Sequence, residues 1–241
     1  MMHPLLRPLV IRMFSSYGDR KLNKVLRICL QTCRELVCSL PPRVLFAAPV
    51  RFLLYTDASW QRGRSGTMAG VLVDLFAPLV EGIPFGRKFL FWRFRVTKDM
   101  IHSKYNLHPI NFLEAVAPLV SVYLWGEKFV HTKLICFIDN NSAKGTLNRM
   151  NSGKCHLALV AYFFWKFCTE KRISCLVDRV KSEDNISDLP TREDLHRFFV
   201  ENFCTEEVLL SDELVEVVKK VLLLDTEFKE ILLDEEVAAS V

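Results

Sequence analysis

The feature of this 241-residue chain that most constrains its fold is the alternation of strand-like and helix-like segments between residues 50 and 200. Residues 133–138 form a short, nearly unbroken apolar run, which is typical of a central strand covered on both faces. Their order along the chain predicts an α/β fold built on a mixed sheet. The other strand patterns cover residues 50–56, 68–76, 88–96 and 173–180, and the helical patterns cover residues 110–125, 142–150 and 155–170, with a final helix beginning near Thr191.

The segments on either side of this region differ from it, so three parts are predicted. Residues 1–49 look helical and loop-like and end in the breaker Leu40-Pro41-Pro42-Arg43, as an N-terminal helical extension. Residues 201–241 form an acidic, amphipathic helical tail. This tail either packs on its own domain, forms a homodimer through the C-terminal helix, or covers a basic cleft as an acidic flap. Its heptad-like apolar positions are Leu214, Val217, Val221, Leu224, Phe228 and Ile231.

Charge is unevenly distributed along the chain. The net charge is +4, but residues 201–241 carry 12 acids against three lysines, which leaves +13 on residues 1–200. A basic body of this size favours a polyanionic partner such as nucleic acid, because Lys and Arg contacts to phosphates dominate that kind of binding. A solvated basic surface without a partner is the alternative.

Composition and the N-terminal stretch indicate the cellular setting. No apolar run reaches the ~18 residues that span a bilayer, so no membrane partner is expected. His3, Arg7 and Arg12 interrupt the first apolar stretch, which argues against a secretory signal, while the lack of an acid before Asp19 leaves a mitochondrial presequence open. The eight cysteines form no Cys-x-x-Cys pair and are typical of reduced core thiols. An intracellular protein, cytoplasmic or nuclear, is therefore expected.

Four carboxylates fall at positions where α/β sheets place their sites. Asp57 and Asp139 end the first and the central strand patterns, and acids at the carboxyl ends of neighbouring strands are expected to lie close together. Glu114 lies in an otherwise apolar helix, where a charge is costly unless it is paired or binds a metal. Asp188 lies just before the last helix. Taken singly, the three aspartates also fit turn or helix-terminal roles.

Acids that converge in this way repel one another, and a hard divalent cation is the natural neutraliser. Oxygen ligands suit Mg²⁺ or Mn²⁺ rather than zinc. Two such ions, about 3.5–4 Å apart, activate a water molecule and stabilise the leaving oxygen of a phosphodiester. The four acids therefore predict a site for two metal ions.

The residues around these acids resemble a known family. Over residues 50–200 they are similar to the type 1-like ribonuclease H domain of retrotransposon reverse transcriptase polyproteins, in particular the divergent elements of protists and some invertebrates. The order Asp, Glu, Asp, Asp on strand one, helix one, strand four and the last helix is that family's metal quartet. The motifs that carry the resemblance are Thr56-Asp57-Ala58-Ser59, Asn111-Phe112-Leu113-Glu114-Ala115, Phe137-Ile138-Asp139-Asn140-Asn141-Ser142-Ala143 and Asn185-Ile186-Ser187-Asp188-Leu189-Pro190-Thr191-Arg192.

The resemblance implies a ribonuclease H-like fold, with a five-stranded mixed sheet flanked by helices. It also implies hydrolysis of the RNA strand of RNA–DNA hybrids with two Mg²⁺ (or Mn²⁺) ions. Residues 1–49 resemble the connection after a polymerase thumb, which makes a reverse transcriptase polymerase domain an implied partner. The implied catalytic metal ligands are Asp57, Glu114, Asp139 and Asp188, and the expected nucleic-acid contacts are Asn111 and Asn140 in the minor groove and Arg62, Arg64, Arg149, Lys181 and Arg192 at phosphates.

Two departures from the family pattern keep an alternative open. The loop at residues 181–184 lacks the His that cellular members place there, and Pro118 lies inside the helix, where its kink either aims or disturbs the carboxylate of Glu114. A non-catalytic nucleic-acid-binding or tethering domain of a decayed element is the main alternative to an active nuclease. Recombinase or exonuclease chemistry on the same fold is disfavoured by the Glu on the first helix.

Overall fold

A computed structural model describes residues 27, 30, 31, 34, 49–61, 65–83, 86–102, 109–149, 152 and 154–223. In this part of the chain six strands form one mixed sheet in the order β5-β4-β1-β2-β3-β6. β2 pairs antiparallel with β1 and β3, whereas the pairs β1–β4, β4–β5 and β3–β6 are parallel. The strands are β1 (Val50–Trp60), β2 (Ser65–Asp74), β3 (Phe89–Thr97), β4 (Lys133–Ile138), β5 (Ser174–Arg179) and β6 (Thr205–Glu207).

Helices cover both faces of this sheet, so the predicted α/β class, a mixed sheet flanked by helices, is confirmed. None of the helices in the described part of the chain combines the length and the apolar composition that crossing a bilayer requires. The helices are α1 (Ile110–Leu124), α2 (Gly126–Phe129), α3 (Asn141–Arg149), α4 (Cys155–Glu170), α5 (Asp188–Thr191), α6 (Glu193–Asn202) and α7 (Asp212–Leu223), with 3-10 turns at Lys98–Met100 and Ser182–Asp184.

The larger core lies between the sheet and helices α1 and α4. α1 is apolar through most of its length and buries eleven consecutive residues, so tertiary packing rather than one narrow stripe stabilises it. Trp92 of β3 donates its indole N–H to the hydroxyl of Ser121 on α1, at 2.9 Å, with both groups buried. Gly70 of β2 makes this contact possible, because a Cβ there would lie 2.4 Å from the indole nitrogen. A smaller core on the other face forms around Phe199 of α6 and Phe91 of β3.

The sheet has a sixth strand, which corrects the expectation of five strands and of a tail that is helical throughout. β6 lies in the segment that the sequence assigned to the tail, and its neighbours continue the ladder: Phe89 donates to the Cys204 carbonyl at 2.8 Å, and Val208 donates to the Phe91 carbonyl at 2.7 Å. The physical reason is that β3 would otherwise expose an unpaired row of backbone groups. Helix α6 also crosses the predicted boundary at residue 200.

The first part of the tail packs on its own domain. Val218, Val221 and Leu222 of α7 are buried, and α7 lies against α1 around a small, partly open apolar pocket of about 70 Å³. Packing on the domain is therefore the outcome for residues 212–223. The rest of the predicted seam, Leu224, Phe228 and Ile231, lies outside the described residues, as does most of the extension at residues 1–49. The homodimer and the flap stay predictions.

Candidate active site

The parallel ladder between β1 and β4 places two of the predicted acids side by side. Its last pair is Thr56 with Ile138, so Asp57 and Asp139 are the next residues on the two neighbouring strands. β1 does not end at Asp57, as the sequence predicted, but continues to Trp60 because its pairing with β2 extends further. β4 does end at Ile138, since Asn140 caps α3 by accepting the backbone N–H groups of the next helical residues.

Helix α1 brings a third carboxylate to the same place. Glu114 is only 4% exposed, and one oxygen of each of Asp57, Glu114 and Asp139 lies within 4.8 Å of the others. α1 is one continuous helix from Ile110 to Leu124 with Pro118 inside it. The proline therefore leaves the carboxylate of Glu114 in the cluster.

Burial and repulsion from neighbouring acids make the ionised forms of Asp57 and Glu114 unfavourable without a nearby positive charge. Burial raises the pKa of Asp57 to about 7, the charges of Asp139 and Asp188 add to the effect, and the hydrogen bond from Thr191 opposes it. Burial, followed by the charges of Asp57 and Asp139, also raises the pKa of Glu114 well above its usual range. Among the described residues none donates a hydrogen bond to Glu114 Oε2, although that atom is buried.

The donor set fits a hard divalent cation. All three groups offer oxygen ligands, which Mg²⁺ and Mn²⁺ prefer. A cation in the cluster would satisfy Glu114 Oε2 and offset the repulsion that raises the pKa of Asp57.

The fourth predicted acid lies next to the cluster rather than in it. Asp188 is the first residue of α5, and its Oδ1 accepts a hydrogen bond from Arg192 Nε at 2.8 Å. It is not part of the group whose oxygens lie within 4.8 Å of one another, but its charge contributes to the raised pKa of Asp57. The structure thus gathers three of the four predicted acids and leaves Asp188 beside them.

Two hydroxyl groups after β5 contact the cluster, and the sequence assigned them no role. Thr191 Oγ1 donates to Asp57 Oδ2 at 2.7 Å, and Ser182 Oγ donates to Asp139 Oδ2 at 2.8 Å. Ser182 lies in the loop where a His was expected and not found. No hydrophobic periodicity in the sequence predicts these contacts. The one sequence signal for them is the high frequency of Ser, Thr and Asn between residues 182 and 191.

The predicted nucleic-acid contacts lie in different surroundings. Asn140 donates its amide to Asn111 Oδ1 at 2.9 Å, which places this pair beside Asp139. Lys181 is exposed, and its Nζ lies 3.6 Å from Glu183 Oε1. Arg149 is the exposed last residue of α3, Arg192 is paired with Asp188, and Arg62 and Arg64 lie outside the described residues.

No protein-family model matches this chain, and no curated protein matches it. Similar solved structures include RNase H1 from the halophilic archaeon Halobacterium salinarum, which covers 61% of this chain and 98% of its own at 11% identity and a TM-score of 0.44. LC11-RNase H1, isolated from compost by a metagenomic approach, covers 62% of this chain and 98% of its own at 14% identity and a TM-score of 0.42. The N-terminal RNase H domain of Rv2228c from Mycobacterium tuberculosis covers 64% of this chain and 98% of its own, at 9% identity and a TM-score of 0.39. Likenesses at these levels do not assign a function to this chain.

Proposed function

We propose that this protein is a metal-dependent endonuclease that hydrolyses the RNA strand of RNA–DNA hybrids and derives from a retroelement. The observation that carries the proposal is the cluster of Asp57, Glu114 and Asp139, in which the first two acids are buried and no described residue hydrogen-bonds to Glu114 Oε2. Two buried acids beside a third that is partly buried are costly to a folded protein unless a bound cation offsets the cost. Their arrangement on two neighbouring strands and the first helix also agrees with the order of the metal quartet in the family that the sequence resembles.

Each acid has a distinct part in the proposed site. Asp57, Glu114 and Asp139 would hold divalent cations, Mg²⁺ or Mn²⁺, and Asp188 would complete the ligand set for the second of two ions. Bound cations supply an activated water and neutralise charge at the phosphodiester. Burial around Glu114 keeps water from competing for its carboxylate, and Ser182 holds the more exposed Asp139 by a hydrogen bond.

The proposed substrate follows from chemistry beside the cluster and from the resemblance. The side-chain amides of Asn111 and Asn140 carry N–H donors suited to 2′-hydroxyls and base edges in a shallow minor groove, where RNA differs from DNA. Residues 1–200 carry a net charge of +13, which favours a polyanion. A polymerase domain that presents the hybrid is the proposed partner, in keeping with the resemblance of residues 1–49 to a thumb connection.

The test is cleavage of a labelled RNA–DNA hybrid by the full chain in Mg²⁺ and in Mn²⁺, with RNA–RNA and DNA–DNA duplexes as comparisons. We expect metal-dependent cutting of the RNA strand of the hybrid alone. Asp139→Asn should lower the rate by at least about 100-fold, because it removes a charged ligand while its amide oxygen can still accept from Ser182. Asp184→Asn is the matched control: this exposed acid lies in the same loop but outside the cluster and should cut as the wild type does.

The outcomes separate the two functions that the sequence left open. If Asp139→Asn cuts hybrid at the wild-type rate, the assignment of the cluster is wrong. If the wild type binds hybrid but does not cut it in either metal, with or without a supplied polymerase domain, the non-catalytic binding domain is the better description.

A further inference from the structure

Thr191 joins the candidate metal cluster to the segment that carries Asp188. It is the last residue of α5, and it is only 2% exposed. Its hydroxyl oxygen lies 2.7 Å from Asp57 Oδ2 and 2.9 Å from the carbonyl oxygen of Asp188. On its other side, Ser59 of β1 donates to the Thr191 carbonyl at 2.9 Å. Two bonds thus tie α5 to β1 across the site, and one of them ends on a carboxylate.

The Thr191 hydroxyl has one proton and two acceptors within reach. A carboxylate is a stronger acceptor than a backbone carbonyl, so the proton is donated to Asp57 whenever that group is ionised. Asp57 is then held by a neutral donor that adds no positive charge to compete with a cation. This matters because Asp139 and Asp188 repel Asp57, and an unrestrained carboxylate would turn away from them.

We propose that Thr191 is a positioning residue that orients the Asp57 carboxylate for divalent-cation binding. The inference rests on the proposed function, since it assigns Asp57 to a cation site. Groups that hydrogen-bond to metal ligands commonly change metal affinity by about 10- to 100-fold. We expect Thr191 to contribute at the lower end of that range, because Glu114 and Asp139 remain in place without it.

The experiment measures Mn²⁺ affinity of the full chain without nucleic acid, by the electron paramagnetic resonance signal of free Mn²⁺, so that binding is read independently of cleavage. Thr191→Val and Thr191→Ala both remove the hydroxyl, and Thr191→Ser keeps it. Thr132→Val is the matched control, because the Thr132 hydroxyl donates to the Phe129 carbonyl three residues before it, as Thr191 can to Asp188, but touches no carboxylate. Urea unfolding of each variant checks that it is folded.

The expected result is a loss of about tenfold in Mn²⁺ affinity in Thr191→Val and Thr191→Ala, with Thr191→Ser and Thr132→Val within about twofold of wild type. Ser59→Ala, which removes the other tie between α5 and β1, should also bind as the wild type does.

Three results would overturn the inference. If Thr191→Val or Thr191→Ala binds Mn²⁺ as the wild type does while Asp57→Asn loses binding, Thr191 has no positioning role, but the cation site at Asp57 stands. A loss in Thr191→Ser or Ser59→Ala equal to that in Thr191→Val shows that packing or tethering, not the hydroxyl, sets the affinity. If Asp57→Asn binds Mn²⁺ as the wild type does, the proposed function fails and this inference fails with it.

Discussion

Replacing Asp57 with Asn should stabilise the metal-free protein at neutral and alkaline pH. In the folded chain the pKa of Asp57 is about 7, against an ordinary value of 3.8, because the group is buried among other acids. The folded state therefore holds the proton more tightly than the unfolded state. Stability from this group is fully present below about pH 4 and is lost as the pH rises through 7.

The size of the effect follows from the two pKa values. Each pH unit between them corresponds to about 1.4 kcal/mol, so ionising Asp57 in the fold costs about 4 kcal/mol. Asn cannot ionise, and its side-chain oxygen can still accept from Thr191. The free energy of unfolding of Asp57→Asn, minus that of the wild type, should therefore rise by about 4 kcal/mol between pH 4 and pH 8.

The assay is urea unfolding with EDTA at a series of pH values, repeated at pH 8 with Mg²⁺. Added Mg²⁺ should stabilise the wild type and leave Asp57→Asn unchanged. Asp178→Asn is the control, because the hydrogen bond from Lys144 lowers the pKa of that exposed carboxyl and its small effect should have the opposite sign. A difference between Asp57→Asn and wild type that is the same at pH 4 and pH 8 would refute the reasoning.

Two further predictions test the packing and the tail. Gly70→Ala should lower the free energy of unfolding by about 1–3 kcal/mol, because the new Cβ breaks the contact between Trp92 and Ser121. Gly145→Ala on α3 is the control: its Cβ meets only a flexible arginine side chain, so it should cost nothing or stabilise the helix. Equal effects of the two changes would contradict this account of the core. Deleting residues 224–241 removes six acids and one lysine without touching β6 or α7, so if the tail is an acidic flap, binding to RNA–DNA hybrid should tighten at low salt and the gain should disappear at high salt. Unchanged affinity at low salt would exclude the flap.

The part of the fold that the sequence predicts well is the part that local pattern controls. β4 and α4 begin and end where the apolar patterns do, because a short apolar run and a long apolar helix each have clear boundaries, although β4 is fully buried on one face only and partly buried on the other. β1 runs past its predicted end because its pairing with β2 continues, which depends on a partner elsewhere in the chain. β6 was missed for the same kind of reason, since three residues, two of them acidic, carry no strand pattern and pair only because the edge of β3 is free.

In the candidate site, too, the features set by local sequence pattern could be predicted, and those that depend on distant parts of the chain could not. The closeness of Asp57 and Asp139 was predictable from strand ends, and the buried position of Glu114 from the apolar helix around it. The position of Asp188 outside the cluster could not be predicted, because it depends on how the short helix α5 packs against β1. The hydrogen bonds from Ser182 and Thr191 were not predictable either, since each joins residues far apart in the chain and no pattern marks a hydroxyl that will meet a carboxylate.

The parallel pairing of β1 with β4 also determines when the site comes into being during synthesis. The hydroxyl of Thr56 and the carbonyl that accepts from it, on Phe137, are 81 residues apart in the chain, and Thr191 is 134 residues from Asp57. Contacts of such long sequence separation form late, after the loops between them have closed. A nascent chain that has not yet released Thr191 from the ribosome therefore holds Asp57 without its hydrogen bond from Thr191. The site is complete only once the chain through Thr191 has been made and has folded against β1.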